Sequence, residues 1–171
     1  MTWSIATTGT GPDSPDTALN PRVVSARLST MSEPLVLQYS TPDMWILHPP
    51  TDPWGDGYVA VMRVELRGQG LNAGTDVDVP IPPEGADPDL IVFLQELARD
   101  WRGWPGEREW RSLDAKMWIH AVHDGSGHVS MTATLRESAS EPDAWTARVT
   151  VTIEAGEQMS KLVADIRALF A

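Results

Sequence analysis

The sequence predicts an α+β fold: a two-layer sandwich in which two amphipathic helices cover one face of an antiparallel sheet. Three observations lead there. Several segments alternate apolar and polar residues, the mark of strands with one buried face. Two others carry apolar residues at helical spacing on a single stripe. Their order is strands, helix, strands, helix, which suits helices gathered on one side of a sheet.

Residues 1–21 are rich in Thr, Gly, Pro and Ser without apolar period, so a flexible N-terminal arm is expected there. A single domain is expected over 22–171. Val23, Val24, Ala26 and Leu28 suggest a first strand, and Leu35 to Tyr39 a second. Residues 41–57 hold Pro42, Pro49, Pro50, Pro53, Gly55 and Gly57 and are expected to form a loop, pinned to the core by Trp45, Ile46 and Trp54. Tyr58 to Leu66 and Leu71 to Val79 alternate cleanly around Gly68-Gln-Gly70, a hairpin.

Asp87 precedes Pro88, a capping residue followed by the residue best suited to the first helical turn. Leu90, Phe93, Leu94, Leu97, Ala98 and Trp101 then form one helical stripe, so Trp101 is expected to be buried. Gly103 stops that helix. Ala115–His123 and His128–Leu135 form a second hairpin. With residues 124–127 unpaired, His123 faces His128. The more apolar face, with Trp118, His120 and Val122 opposite Val129, Met131 and Ala133, is then expected to face the core. Trp145 to Ile153 is the last strand. Met159, Leu162, Val163, Ile166, Leu169 and Phe170 mark the last helix.

Composition excludes several functions. The chain has no cysteine, so disulfides and thiolate metal sites are ruled out. No apolar run approaches a membrane span and the start lacks a basic leader, so a cytoplasmic protein is expected. The formal charge is −11, which opposes nucleic acid and favours a basic protein partner. Residues 76–100 contribute seven acids (Asp76, Asp78, Glu84, Asp87, Asp89, Glu96, Asp100) against Arg99, a balance of −6. Nucleophile elbows, phosphate loops and paired-histidine zinc motifs are lacking, so no enzyme and no cofactor are expected. Three of the four histidines cluster, but His120 alternates onto the face opposite His123, so no metal site is expected.

Trp101 to Asp114, WRGWPGEREWRSLD, gathers three of the eight tryptophans with Arg102, Arg108 and Arg111. Trp and Arg are the favoured anchors of protein interfaces. Trp104 and Trp110 are therefore candidate partner contacts, with Asp76, Asp78, Glu84, Glu96 and Asp100 as a charged rim. Thr132 and Thr150 are candidates on the open sheet face, among Ser130, Thr134, Thr146, Arg148 and Thr152, with Met117 and Ile119 as apolar contacts.

The same segment, with HDGSGHV and the closing EAGEQMSKLVADIRALF, resembles a bacterial domain family of unknown function common in actinomycetes. The resemblance covers roughly Trp54 to Ala171. In broad pattern it is similar to WapI-type immunity proteins, with Leu113-Asp114-Ala115 standing where Leu-Glu-Gly is usual. It implies an immunity-type binding module that masks a basic toxin. An accessory subunit of a larger assembly is an alternative. So is a small-molecule site or enzyme under the 41–57 loop near Trp45, Trp54 and His48.

Overall fold

The computed structural model describes residues 33–171, all within one unit, Met31–Ala171. The expected arm at 1–21 and the strand at Val23–Leu28 lie outside the described residues. Eight strands and two helices follow in the order β1 (Leu35–Gln38), β2 (Met44–Leu47), β3 (Val59–Gly68), β4 (Leu71–Pro80), α1 (Asp89–Arg99), β5 (Glu107–Arg111), β6 (Met117–His123), β7 (His128–Arg136), β8 (Thr146–Glu154) and α2 (Glu157–Leu169).

The expected single sheet with two helices on one face does not form. There are two four-stranded antiparallel sheets, β1-β2-β3-β4 and β5-β6-β7-β8. Alternation tells which face of a strand is buried, but not what it is buried against. Here one hydrophobic cluster draws Leu37, Trp45, Met62, Val64, Leu66 and Val77 from the first sheet and Met117, Ile119, Met131, Val149 and Ile153 from the second. Leu90, Leu94, Leu97, Met159, Leu162 and Ile166 join it from the helices. The Trp45 indole N–H donates to the Val149 carbonyl at 3.0 Å, tying the sheets together. The Leu113 N–H donates to the Asp78 carbonyl at 2.9 Å, a second tie.

The β6–β7 register differs by one residue from expectation. His123 pairs with Val129, Ala121 with Met131 and Ile119 with Ala133. The Asp124 N–H donates to the His128 carbonyl, leaving three loop residues, and Gly127 takes φ +98. A one-residue slip exchanges the faces of a strand. Met117, Ile119, Ala121 and His123 are therefore buried, while Trp118, His120 and Val122 face outward with Ser130, Thr132 and Thr150. Met117 and Ile119 are core residues rather than contacts on the open face. His128 shares the outward side with His120, and His123 lies alone on the core side.

The turn between β5 and β6 is tightly bonded. Ser112 Oγ donates to Asp114 Oδ1 at 2.7 Å, and Met117 N–H donates back to Ser112 Oγ at 3.0 Å. Ala115, at φ 55, is the one non-glycine residue with positive φ among those described. Its Cβ makes that conformation costly. Ala115→Gly is expected to raise unfolding stability by about 0.5–1 kcal/mol, the relief of strain less the extra freedom glycine gains when unfolded. Urea unfolding checks this; an unchanged or lower midpoint would show that Ala115 is unstrained.

Among the described residues no helix is long and apolar enough to cross a membrane.

Candidate functional site

Residues 51–58 leave the first sheet as a loop rich in Gly and Pro, yet its backbone is pinned. Asp52 accepts the N–H groups of Trp54 at 3.2 Å, Gly55 at 2.7 Å and Gly57 at 2.9 Å. Those donors, the Gly57 N–H foremost, hold the Asp52 carboxyl below its ordinary pKa. Asp56 caps the Tyr58 N–H at 3.0 Å, and the Ile81 N–H donates to the Tyr58 carbonyl at 2.9 Å. The two glycines sit at φ +66 and +74, which lets the loop turn back on itself. The result displays aromatic side chains: Trp54 is 62% exposed and Tyr58 74%. Trp45 does pin its neighbourhood to the core, but Trp54 does not. Residues 44–47 form β2 rather than loop.

Beside this loop lies a cleft of about 480 Å³. Pro50, Thr51 and Asp52 form one wall and the Pro80–Pro88 stretch another. Ala60 and Ile91 contribute buried apolar side chains, and Arg167, Phe170 and Ala171 come from the end of the chain. Two acids of the stretch, Glu84 and Asp87, line it. Asp87 is not the helix cap expected of it, for α1 has Pro88 at its cap position with no side-chain bond there. Asp87 instead accepts Arg167 Nη2 at 2.7 Å and Nε at 3.2 Å, and Gln95 Nε2 at 2.8 Å. These partners, Arg167 first, lower its pKa. The pair fastens the end of α2 to the cleft wall, and among the described residues Glu84 has no cationic partner.

The other acids of residues 76–100 do not form one patch. Asp76 pairs with Arg63 at 3.3 Å and Asp100 with Arg108 at 2.6 Å. Asp78 is partly buried, and that burial, with Asp114 nearby, raises its pKa. Glu84, Asp89 and Glu96 have no ion-pair partner among the described residues.

Trp104 and Trp110 are 9% and 6% exposed, so they belong to the core rather than to a free surface. Trp101, expected in the core, is 49% exposed, with Arg102 over its ring at 4.6 Å. The helix stripe ends one turn earlier, at Leu97, because α1 stops at Arg99. Thr132 and Thr150 do meet on the outer face of the second sheet, their hydroxyls 2.8 Å apart. They form the middle pair of the β7–β8 ladder and bond to each other. The cleft itself is not lined by Trp45, Trp54 or His48, where the alternative site was expected. His48 instead bonds Glu65 at 2.8 Å. The exposed aromatics were hidden from sequence reasoning because an aromatic in a loop is more often buried. The one cue was Asp52-x-x-Gly-x-Gly, an acid followed by glycines that free their N–H groups to bind it.

A family model described as a family of unknown function, DUF6228, matches residues 44–171. The chain belongs to this family. The match takes in β2 to the end of α2, and so includes the loop, the cleft and both sheets almost entire. No curated protein and no solved structure matches the chain.

Proposed function

We propose that this DUF6228 chain is a non-enzymatic protein-binding module of the immunity type, which masks a basic protein through the 51–58 loop and the edge of the cleft that carries Glu84. The observation that carries it is the pinned loop, which presents Trp54 and Tyr58 to solvent beside an apolar cleft. A backbone held in place before binding lowers the ordering cost of the aromatic contacts it presents. Glu84, uncompensated at the cleft, and the net −11 favour a cationic partner. The likeness of residues 101–114 and of the final helix to WapI-type proteins supports the immunity role.

The experiment is capture from native lysate at low and high salt, then association and dissociation rates with the purified partner. Trp54→Ala is expected to weaken binding by about tenfold or more, through faster dissociation. Glu84→Lys is expected to slow association and flatten its salt dependence. An acidic partner, rates indifferent to salt, or a Trp54→Ala variant that binds normally would overturn the proposal. The cleft volume, within the usual range for small-molecule sites, favours a second reading as a binder of a small apolar ligand. There Ala86→Trp, which fills the cleft from its exposed wall, is expected to abolish binding while Trp54→Ala leaves it intact.

A further inference from the structure

The outer face of β5 and β6 gathers two carboxylates and an imidazole away from the cleft. Glu107 and Glu109 are two apart on β5 and so share one face. His120 lies opposite Glu109 in the β5–β6 register. The His120 Nδ1 is 2.7 Å from a Glu107 carboxylate oxygen and 3.6 Å from one of Glu109. One ligand atom from each residue can be chosen so that all three lie within 4.8 Å of one another.

Charge adds an independent constraint. Among the described residues, neither glutamate pairs with lysine or arginine. Arg108, between them on β5, is turned to Asp100, while Arg111 follows Glu109 by two residues on the same strand face and forms no ion pair among the described residues. Two carboxylates thus converge on a single imidazole. Two carboxylates held this close repel one another, and a divalent ion between them would relieve that repulsion.

We infer that Glu107, Glu109 and His120 form a surface site for a borderline divalent cation of the Zn²⁺ class. Bonds of about 2.0–2.2 Å to nitrogen and carboxylate oxygen set neighbouring ligand atoms roughly 3–3.5 Å apart. The observed separations of 2.7 and 3.6 Å from the His120 Nδ1 bracket that range. An imidazole ligand disfavours Ca²⁺ and Mg²⁺, which prefer oxygen throughout. Three protein ligands on an edge strand leave the remaining coordination positions open to water or to an outside donor. The site follows from the observed β5, a strand that was not expected; the histidines alone suggested no metal.

The test is calorimetric titration of the full chain with Zn²⁺ and, separately, Ca²⁺, with circular dichroism confirming that each variant is folded. One Zn²⁺ per chain is expected, with no comparable Ca²⁺ binding. His120→Ala and Glu107→Gln are each expected to weaken Zn²⁺ binding by about tenfold or more. His128→Ala, at the separate Asp124–His128 pair of the hairpin tip, is expected to bind as the parent does. Absence of saturable Zn²⁺ binding, a His120→Ala variant that binds normally, or loss on His128→Ala would overturn the assignment.

Discussion

Trp45→Ala is expected to lower unfolding stability by about 4 kcal/mol, the largest effect of any single change considered for this chain. The indole is buried and extends from β2 toward the second sheet. Truncation removes a large apolar volume that a rigid core refills only in part. It also removes the donor to the Val149 carbonyl. β8 is the edge of its sheet, so some of its carbonyls have no ladder partner, and the Trp45 N–H satisfies one that would otherwise be buried without a donor. Trp45→Phe keeps much of the volume but not the N–H, and is expected to lose less, about 2 kcal/mol. With typical domain stability of roughly 5–15 kcal/mol, the alanine variant loses a large share of the total. Urea unfolding followed by circular dichroism measures both. A Trp45→Ala loss below that of Trp45→Phe would show that the indole does not join the sheets.

Gly103→Ala is expected to cost about 3 kcal/mol, although it adds a single methyl group. Gly103 has φ +116, a conformation L side chains rarely adopt. An added Cβ would lie 3.1 Å from His123 Nδ1 and 3.3 Å from its Cε1. That imidazole cannot easily yield. Its Nδ1 accepts the Gly125 N–H at 2.9 Å, its Nε2 lies 3.1 Å from the Trp101 carbonyl, and its ring meets that of Trp104 edge-on with centroids 5.2 Å apart. With Nδ1 accepting, Nε2 carries the proton and donates. The methyl group therefore strains the backbone and presses on a side chain with three fixed neighbours. The double variant Gly103→Ala, His123→Ala separates the two causes by a mutant cycle. Purely additive losses would show that the methyl group never touches the imidazole.

Much of the fold was legible where local pattern and burial agree. The β3–β4 hairpin lies where alternation placed it, as do both helices, because each side of those elements meets one kind of environment. β5 was not legible. Glu107-Arg-Glu-Trp-Arg111 shows one apolar side chain, since an edge strand in an outer position buries little else. β2 was obscured by its brevity and its proline neighbours. The division into two sheets was out of reach, because amphipathic strands look alike whichever sheet they join. The β6–β7 register turned on one loop residue, Asp124, whose backbone stays paired. At the cleft, Glu84 and Asp87 were visible as charge but not as wall; Asp87 is set by Arg167, eighty residues further on, a contact no local pattern shows. Trp104 and Trp110 show the reverse: their composition suggested a surface anchor, and their burial denies it.

The order of elements has a further meaning. Four strands joined in sequence are followed by a helix, and then four more strands joined in sequence are followed by another helix. The described residues are thus two successive halves of the same plan, with each of their strands paired only to its sequence neighbours within its own half. Neither half closes its apolar face alone; Trp45 to Val149, Leu113 to Asp78 and Arg167 to Asp87 all cross from one to the other. What serves as the core of one protein is also laid out like the interface of a pair, with the two partners held together by a covalent tether.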